Sequence, residues 1–115
     1  MKDSERDLDL LSYIEESLAL IEQYSQGGRE VFFREQIIQD AILRRLETLA
    51  DAAHRLSQPL KQRHPTVPWR EIYGFRNVAA HGYLELRIEV AWETIETGLP
   101  GLKLVVAEEL RRLNP

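Results

Sequence analysis

The chain contains no cysteine, which excludes disulfides, thiolate metal sites and a cysteine nucleophile. No run of about 18 apolar residues is present, so nothing in the sequence reads as a membrane-spanning helix. The N-terminal stretch MKDSERDLDLL is acidic and polar where a signal peptide needs a basic start and an apolar core, so a cytoplasmic compartment is expected. A surplus of positive charge is missing too. The net charge is −4, and the surface as a whole does not attract phosphate backbones. Any nucleic-acid contact must then come from a local basic site, and an acidic surface leaves room for a basic partner. Strand alternation, hairpin turns, internal repeats and low-complexity tracts are all absent from the pattern.

What is there is an ordinary globular balance. Hydrophobic residues make up 43 % of 115 residues and charged residues 30 %. That is one domain, residues 1–115, long enough to bury a core. Leu11, Ile14, Leu18 and Ile21 recur three and four apart, predicting a helix over Ser4 to Tyr24 that Gly27-Gly28 ends. Ser4 with Asp7 three residues on resembles a capping box with Asp in place of Glu. A second helix is predicted from near Glu30 to Leu56, with Ile38, Ile42, Leu46, Leu49 and Ala53 on its buried stripe. Pro59 and Gln62 to Pro65 form a connection, and Pro68 suits the first position of a third helix carrying Trp69, Ile72, Phe75 and Ala79. Gly82 is a natural stop. A last helical segment starts near Ile88. Gly98, Pro100 and Gly101 predict a break or kink, with a new helix from about Pro100 to Leu113. The expected fold class is all-α, an up-down bundle of four to five helices. The apolar stripes are rich for a lone chain of this size, which points to a homodimer.

Chemistry concentrates in residues 73–83, Tyr-Gly-Phe-Arg-Asn-Val-Ala-Ala-His-Gly-Tyr. Arg76 is a permanent planar donor suited to a phosphate. His81 titrates near neutral pH and can move protons. The Tyr83 hydroxyl can donate, accept or be modified. On an ideal helix five residues place Arg76 and His81 about 140° apart, so they converge only if the helix ends near His81 or if two chains line one cleft. An arginine followed five residues later by a histidine is common by chance, and the plain alternative is that Arg76 pairs with an acidic neighbour and His81 caps a helix end.

The longer string carries more. Asp40 to Glu47, Asp51 to Leu56, His64 to Ile72, Arg76-Asn77 through His81-Gly82-Tyr83, and Val90-Ala91-Trp92 leading to Leu99-Pro100 together resemble the HEPN superfamily. Within it they resemble the HepT-like toxins of HEPN/minimal-nucleotidyltransferase toxin–antitoxin pairs. The resemblance implies a helical bundle, usually dimeric, with metal-independent ribonuclease activity and no cofactor. It implies Arg76 and His81 as catalytic residues and Asn77 as a supporting polar residue. It implies Tyr83 as the tyrosine to which the partner nucleotidyltransferase transfers AMP. The chain departs from the usual pattern with Arg87 where an acidic residue often follows the tyrosine, and with Asp51 where relatives often carry Glu.

Other residues read as structural. Asp51 and His54 have the spacing of a metal pair, but with no further ligand a surface histidine is the better reading. His64 reads as a loop residue, Trp69 and Trp92 as core, and Tyr73 as packing. Arg44, Arg45 and Arg55 could form a basic strip, though solvated helix charges are the usual explanation. The leading function is an RNA-cleaving toxin. The alternatives are a non-catalytic helical partner or substrate of a nucleotidyltransferase, and a nucleotide-sensing domain.

Overall fold

The apolar stripes find one another. The computed structural model describes residues 2–76 and 84–114, with side chains at 84–87 outside that description, and every element among them is helical. In chain order these are α1 (Asp3–Tyr24), α2 (Gly28–Arg34), α3 (Gln36–Arg55), α4 (Gln58–Arg63), α5 (Trp69–Tyr73), α6 (Leu84–Glu93), a π-helical turn (Thr94–Gly98) and α7 (Leu99–Leu113). The long helices α1, α3 and α7 form the frame, with α1 packed against both of the others. The all-α class is as expected from the periodicity. No described helix is long and apolar enough to cross a membrane.

The stripe of α1 (Leu11, Ile14, Leu18 and Ile21) is buried throughout. It meets Ile42, Leu46, Leu49 and Ala53 from α3, and Leu102 and Val106 from α7, in one continuous core. Leu60, Ile72 and Phe75 extend that core under the short helices, and Trp92 lies in it as expected. Trp69 is only partly buried against the core.

Several expectations need correction. Ser4 and Asp7 form no capping box: α1 starts at Asp3 with Lys2 as N-cap and no side-chain cap bond. Asp7 is instead buried and accepts hydrogen bonds from the Ser57 backbone N–H at 2.9 Å and the Ser57 hydroxyl at 2.6 Å. This contact ties α1 to the start of α4. The expected long second helix is two helices, broken at Glu35, whose backbone is extended (φ −101°, ψ 108°). The carbonyls of Phe32 and Phe33, freed by the break, accept from Gln39 Nε2 at 3.0 and 3.1 Å. Gly27-Gly28 does not itself end α1, which stops at Tyr24. Gly28 opens α2 at φ +85°, a left-handed conformation that costs glycine little.

The last segment also differs in detail. Its helix already runs from Leu84, and the break at Gly98 is a π-helical turn from which α7 resumes at Leu99. A Cβ at Gly98 would sit 3.3 Å from Pro68 Cγ, so the glycine admits the loop leading into α5. That loop is held from the other side by a buried carboxylate. Glu109, 1 % exposed, accepts from Arg63 at 2.8 and 3.2 Å and from His64 Nε2 at 2.6 Å. The hydrogen bond from Arg63, opposed by desolvation and helped by His64, holds the Glu109 carboxyl below its ordinary range. His64 is thus more than a loop residue: its carbonyl also accepts from Trp69 Nε1 at 3.0 Å, which fixes the first turn of α5.

Candidate active site

Arg76 stands one turn beyond α5. Ile72 in that short helix and Phe75 in the turn after it, each 1 % exposed, are sunk in the core, and the Arg76 N–H closes the turn on the Tyr73 carbonyl at 3.0 Å. The side chain is therefore launched from an anchored backbone, and it remains 39 % exposed. Its Nε lies 3.3 Å from Asp51 Oδ1, and its Nη1 donates to the Tyr73 hydroxyl at 3.0 Å. Neither of these contacts uses Nη2. The guanidinium is held in a defined plane by one carboxylate and one phenol, while part of it still meets solvent.

Asp51 serves two arginines. Its second oxygen lies 3.8 Å from Arg55 Nη1, one turn further along α3. Both pairs are more than one-third exposed, so screening makes each worth little for stability. Their consequence is geometric: a carboxylate sits between two cations and spaces them. The ring of His54 stacks on Tyr73 with centroids 4.3 Å apart, bracing the phenol that Arg76 uses. His54 is exposed, as expected, and Tyr73 has a polar contact as well as a packing one.

Arg76, Asp51 and Arg55 line an open groove of about 530 Å³ between α1 and α3. Among the described residues, Arg44, Arg55 and Arg76 line it together with Glu47 and Asp51, three guanidiniums against two carboxylates. Tyr13 and Thr48 add polar groups, and Leu10 and Ala52 an apolar floor. On a chain of net charge −4 this is a local reversal of sign. Of the basic residues noted in the sequence, Arg44 and Arg55 face the groove; Arg45 is not among its lining residues.

Asn77, His81 and Tyr83 lie outside the described residues, so of the four expected site residues only Arg76 has described surroundings. The role of Asp51 as partner of Arg76 was not legible from spacing, because the two are 25 positions apart in chain order. Only the pairing of Asp51 with Arg55, at i and i+4 on α3, carried a local signal.

An all-helical chain with an arginine-lined groove defines a class broad enough to hold many binding proteins and nucleases; comparison with known proteins narrows it. A family model described as Ribonuclease HepT-like matches residues 14–109, and the chain belongs to this family. The chain is 33 % identical over 99 residues to a Thermococcus cleftensis protein named "Probable ribonuclease HepT", covering 83 % of this chain and 87 % of that one. It is 32 % identical over 104 residues to a Methanocaldococcus jannaschii protein named "Gamma-glutamylcyclotransferase and putative RNase". That match covers 87 % of this chain, which spans 47 %, about half, of the relative's length. A third relative, "Putative RNase" of Caldanaerobacter subterraneus subsp. tengcongensis, is 31 % identical over 99 residues, 86 % of this chain and 88 % of the relative. No solved structure matches the chain.

Proposed function

We propose that the protein is a metal-independent ribonuclease, the toxin of a toxin–antitoxin pair, cutting RNA with Arg76 and His81. The observation that carries this reading is the setting of Arg76: a guanidinium on an anchored turn, oriented by Asp51 and Tyr73, at the edge of a groove where basic groups outnumber acidic ones among the described residues. Membership of the HepT-like ribonuclease family supports RNA as substrate.

The proposed chemistry draws on protein side chains and on the 2′-hydroxyl of the RNA itself. The 2′-hydroxyl of RNA attacks the adjacent phosphorus, forming a new O–P bond while the P–O5′ bond breaks. The products are a 2′,3′-cyclic phosphate and a 5′-hydroxyl. His81 takes the proton of the attacking hydroxyl or supplies the one the leaving oxygen needs. Arg76 stabilises the charge that grows on the phosphoryl oxygens, with Asn77 in support. One catalytic histidine per chain is a thin supply for two proton transfers, so the active form is proposed to be a homodimer in which both chains line one cleft. Tyr83, two residues past His81, is the proposed regulatory handle, modified with AMP by a cognate minimal nucleotidyltransferase. The added phosphate would pair with Arg76 in place of RNA, since charge-assisted bidentate pairs are strong.

The test is cleavage of RNA by purified protein in EDTA. The wild type is expected to cut and His81→Ala to lose the activity while keeping its helical spectrum. Equal cleavage by both would remove the catalytic assignment.

A further inference from the structure

Arg44, Thr48, Asp51 and Arg55 follow one another three and four apart, so they share one face of α3. From Arg44 to Arg55 this face runs about 16 Å along the helix axis. Tyr13, 37 % exposed, stands across the groove on α1, above the apolar floor of Leu10 and Ala52. The groove therefore carries arginines along its α3 wall, beside Arg76, and an aromatic ring on its α1 wall, over an apolar floor. Single-stranded nucleic acid presents phosphates along one side and bases along the other, which suits both walls. An acidic peptide would match the arginines but leave the ring and the floor without a partner.

We propose that this groove is the RNA-seating surface of the enzyme. A single strand lies along α3, a base stacks on Tyr13, and flanking phosphates pair with Arg44 and Arg55 while Arg76 holds the one to be cut. The proposal rests on the ribonuclease reading and deepens it by naming Tyr13, Arg44 and Arg55 as the residues that position the strand. The existing ion pairs do not oppose it. Arg44 pairs with Glu47 and Arg55 with Asp51, but the arginine side chains are 71 % and 63 % exposed. The Arg55–Asp51 pair is exposed on both sides and weak, and although Glu47 is 20 % exposed, the Arg44 head group itself stays open to solvent and to a phosphate. A base on Tyr13 must be unpaired and splayed from its neighbours, which excludes a continuous duplex.

The experiment is binding of a labelled 2′-O-methyl oligouridylate, which lacks the attacking hydroxyl and so is held without being cut. Tyr13→Leu is expected to weaken binding about tenfold, the ordinary effect of losing a base–aromatic stack. Arg44→Gln and Arg55→Gln should each weaken it and reduce the salt slope by about 0.7, the value for one phosphate contact to a single strand. Lys103→Gln removes one charge beside Glu22, away from the groove, and should leave binding unchanged. All substituted side chains are exposed, and matched melting curves establish that the fold persists. Groove variants that bind like the wild type overturn the proposal, as does an abasic phosphodiester of equal length that binds as tightly as the oligouridylate. Groove-dependent binding without cleavage of unmodified RNA would keep the seating surface and sink the catalytic reading. Cleavage that ignores the groove variants would do the reverse, and absence of both would sink the two together.

Discussion

Replacing Glu109 by Gln should destabilise the protein more than any change on the groove face. The carboxylate is 1 % exposed and receives three donors, Arg63 Nε and Nη2 and His64 Nε2, at 3.2, 2.8 and 2.6 Å. Glutamine keeps the shape and one acceptor but loses the charge and offers an N–H₂ where a donor already points. Hydrogen bonds to charged groups contribute about 1.5–3 kcal/mol each, and a buried donor left unmatched costs a similar amount. Arg63 is 36 % exposed, so water recovers part of its share. The net loss is then about 2–3 kcal/mol, and for a chain of this size the midpoint should fall by about 10 °C. The acid limb should change as well. The folded carboxyl is held below its unfolded value, so its stabilisation is present above the unfolded pKa and is lost as pH falls through the folded one. Wild-type stability should therefore decline more steeply below about pH 4.5 than that of Glu109→Gln. Thermal unfolding followed by circular dichroism at pH 7 and across pH 3–6 reads both effects. A midpoint within about 2 °C of wild type, with an unchanged acid limb, would refute the reasoning.

Asp7→Ala removes the acceptor of two Ser57 bonds and should cost about 1–2 kcal/mol, read as a lower urea midpoint at unchanged m-value. Tyr83→Phe should fold normally and gain no mass on incubation with the proposed cognate nucleotidyltransferase and ATP; mass gained by that variant would move the proposed modification elsewhere. Sedimentation at micromolar concentration should show a dimer, and a monomer would end the two-chain cleft.

The elements legible in the sequence were those whose order comes from a local period. The buried stripes of α1, α3 and α7 are mostly the residues that the three-and-four spacing selects, with Ile38 and Leu113 only partly buried at the edge of the core. What the period could not show are features set by distant partners. The break at Glu35 has no glycine or proline to announce it; it is held by Gln39 reaching back to two carbonyls of α2. Asp7 matches a capping pattern by spacing alone, yet its partner is fifty residues away. Glu109 did leave a trace, since it occupies a stripe position between Val106 and Leu113 where only a paired carboxylate can be buried. In the site, residue type and order singled out Arg76 and its string. The pairing with Asp51 depends on how α5 docks against α3, which spacing does not encode.

The central claim is that Arg76 and His81 cleave RNA through its own 2′-hydroxyl. Its most direct test is single-turnover cleavage of an oligoribonucleotide in EDTA, with the product ends identified by mass spectrometry. The account predicts a 2′,3′-cyclic phosphate on the upstream product, no cut where the attacking nucleotide is 2′-deoxy, and a rate loss of about 10²-fold or more in folded Arg76→Ala and His81→Ala. Cleavage that proceeds at the 2′-deoxy position, or at wild-type rate in either variant, would contradict it.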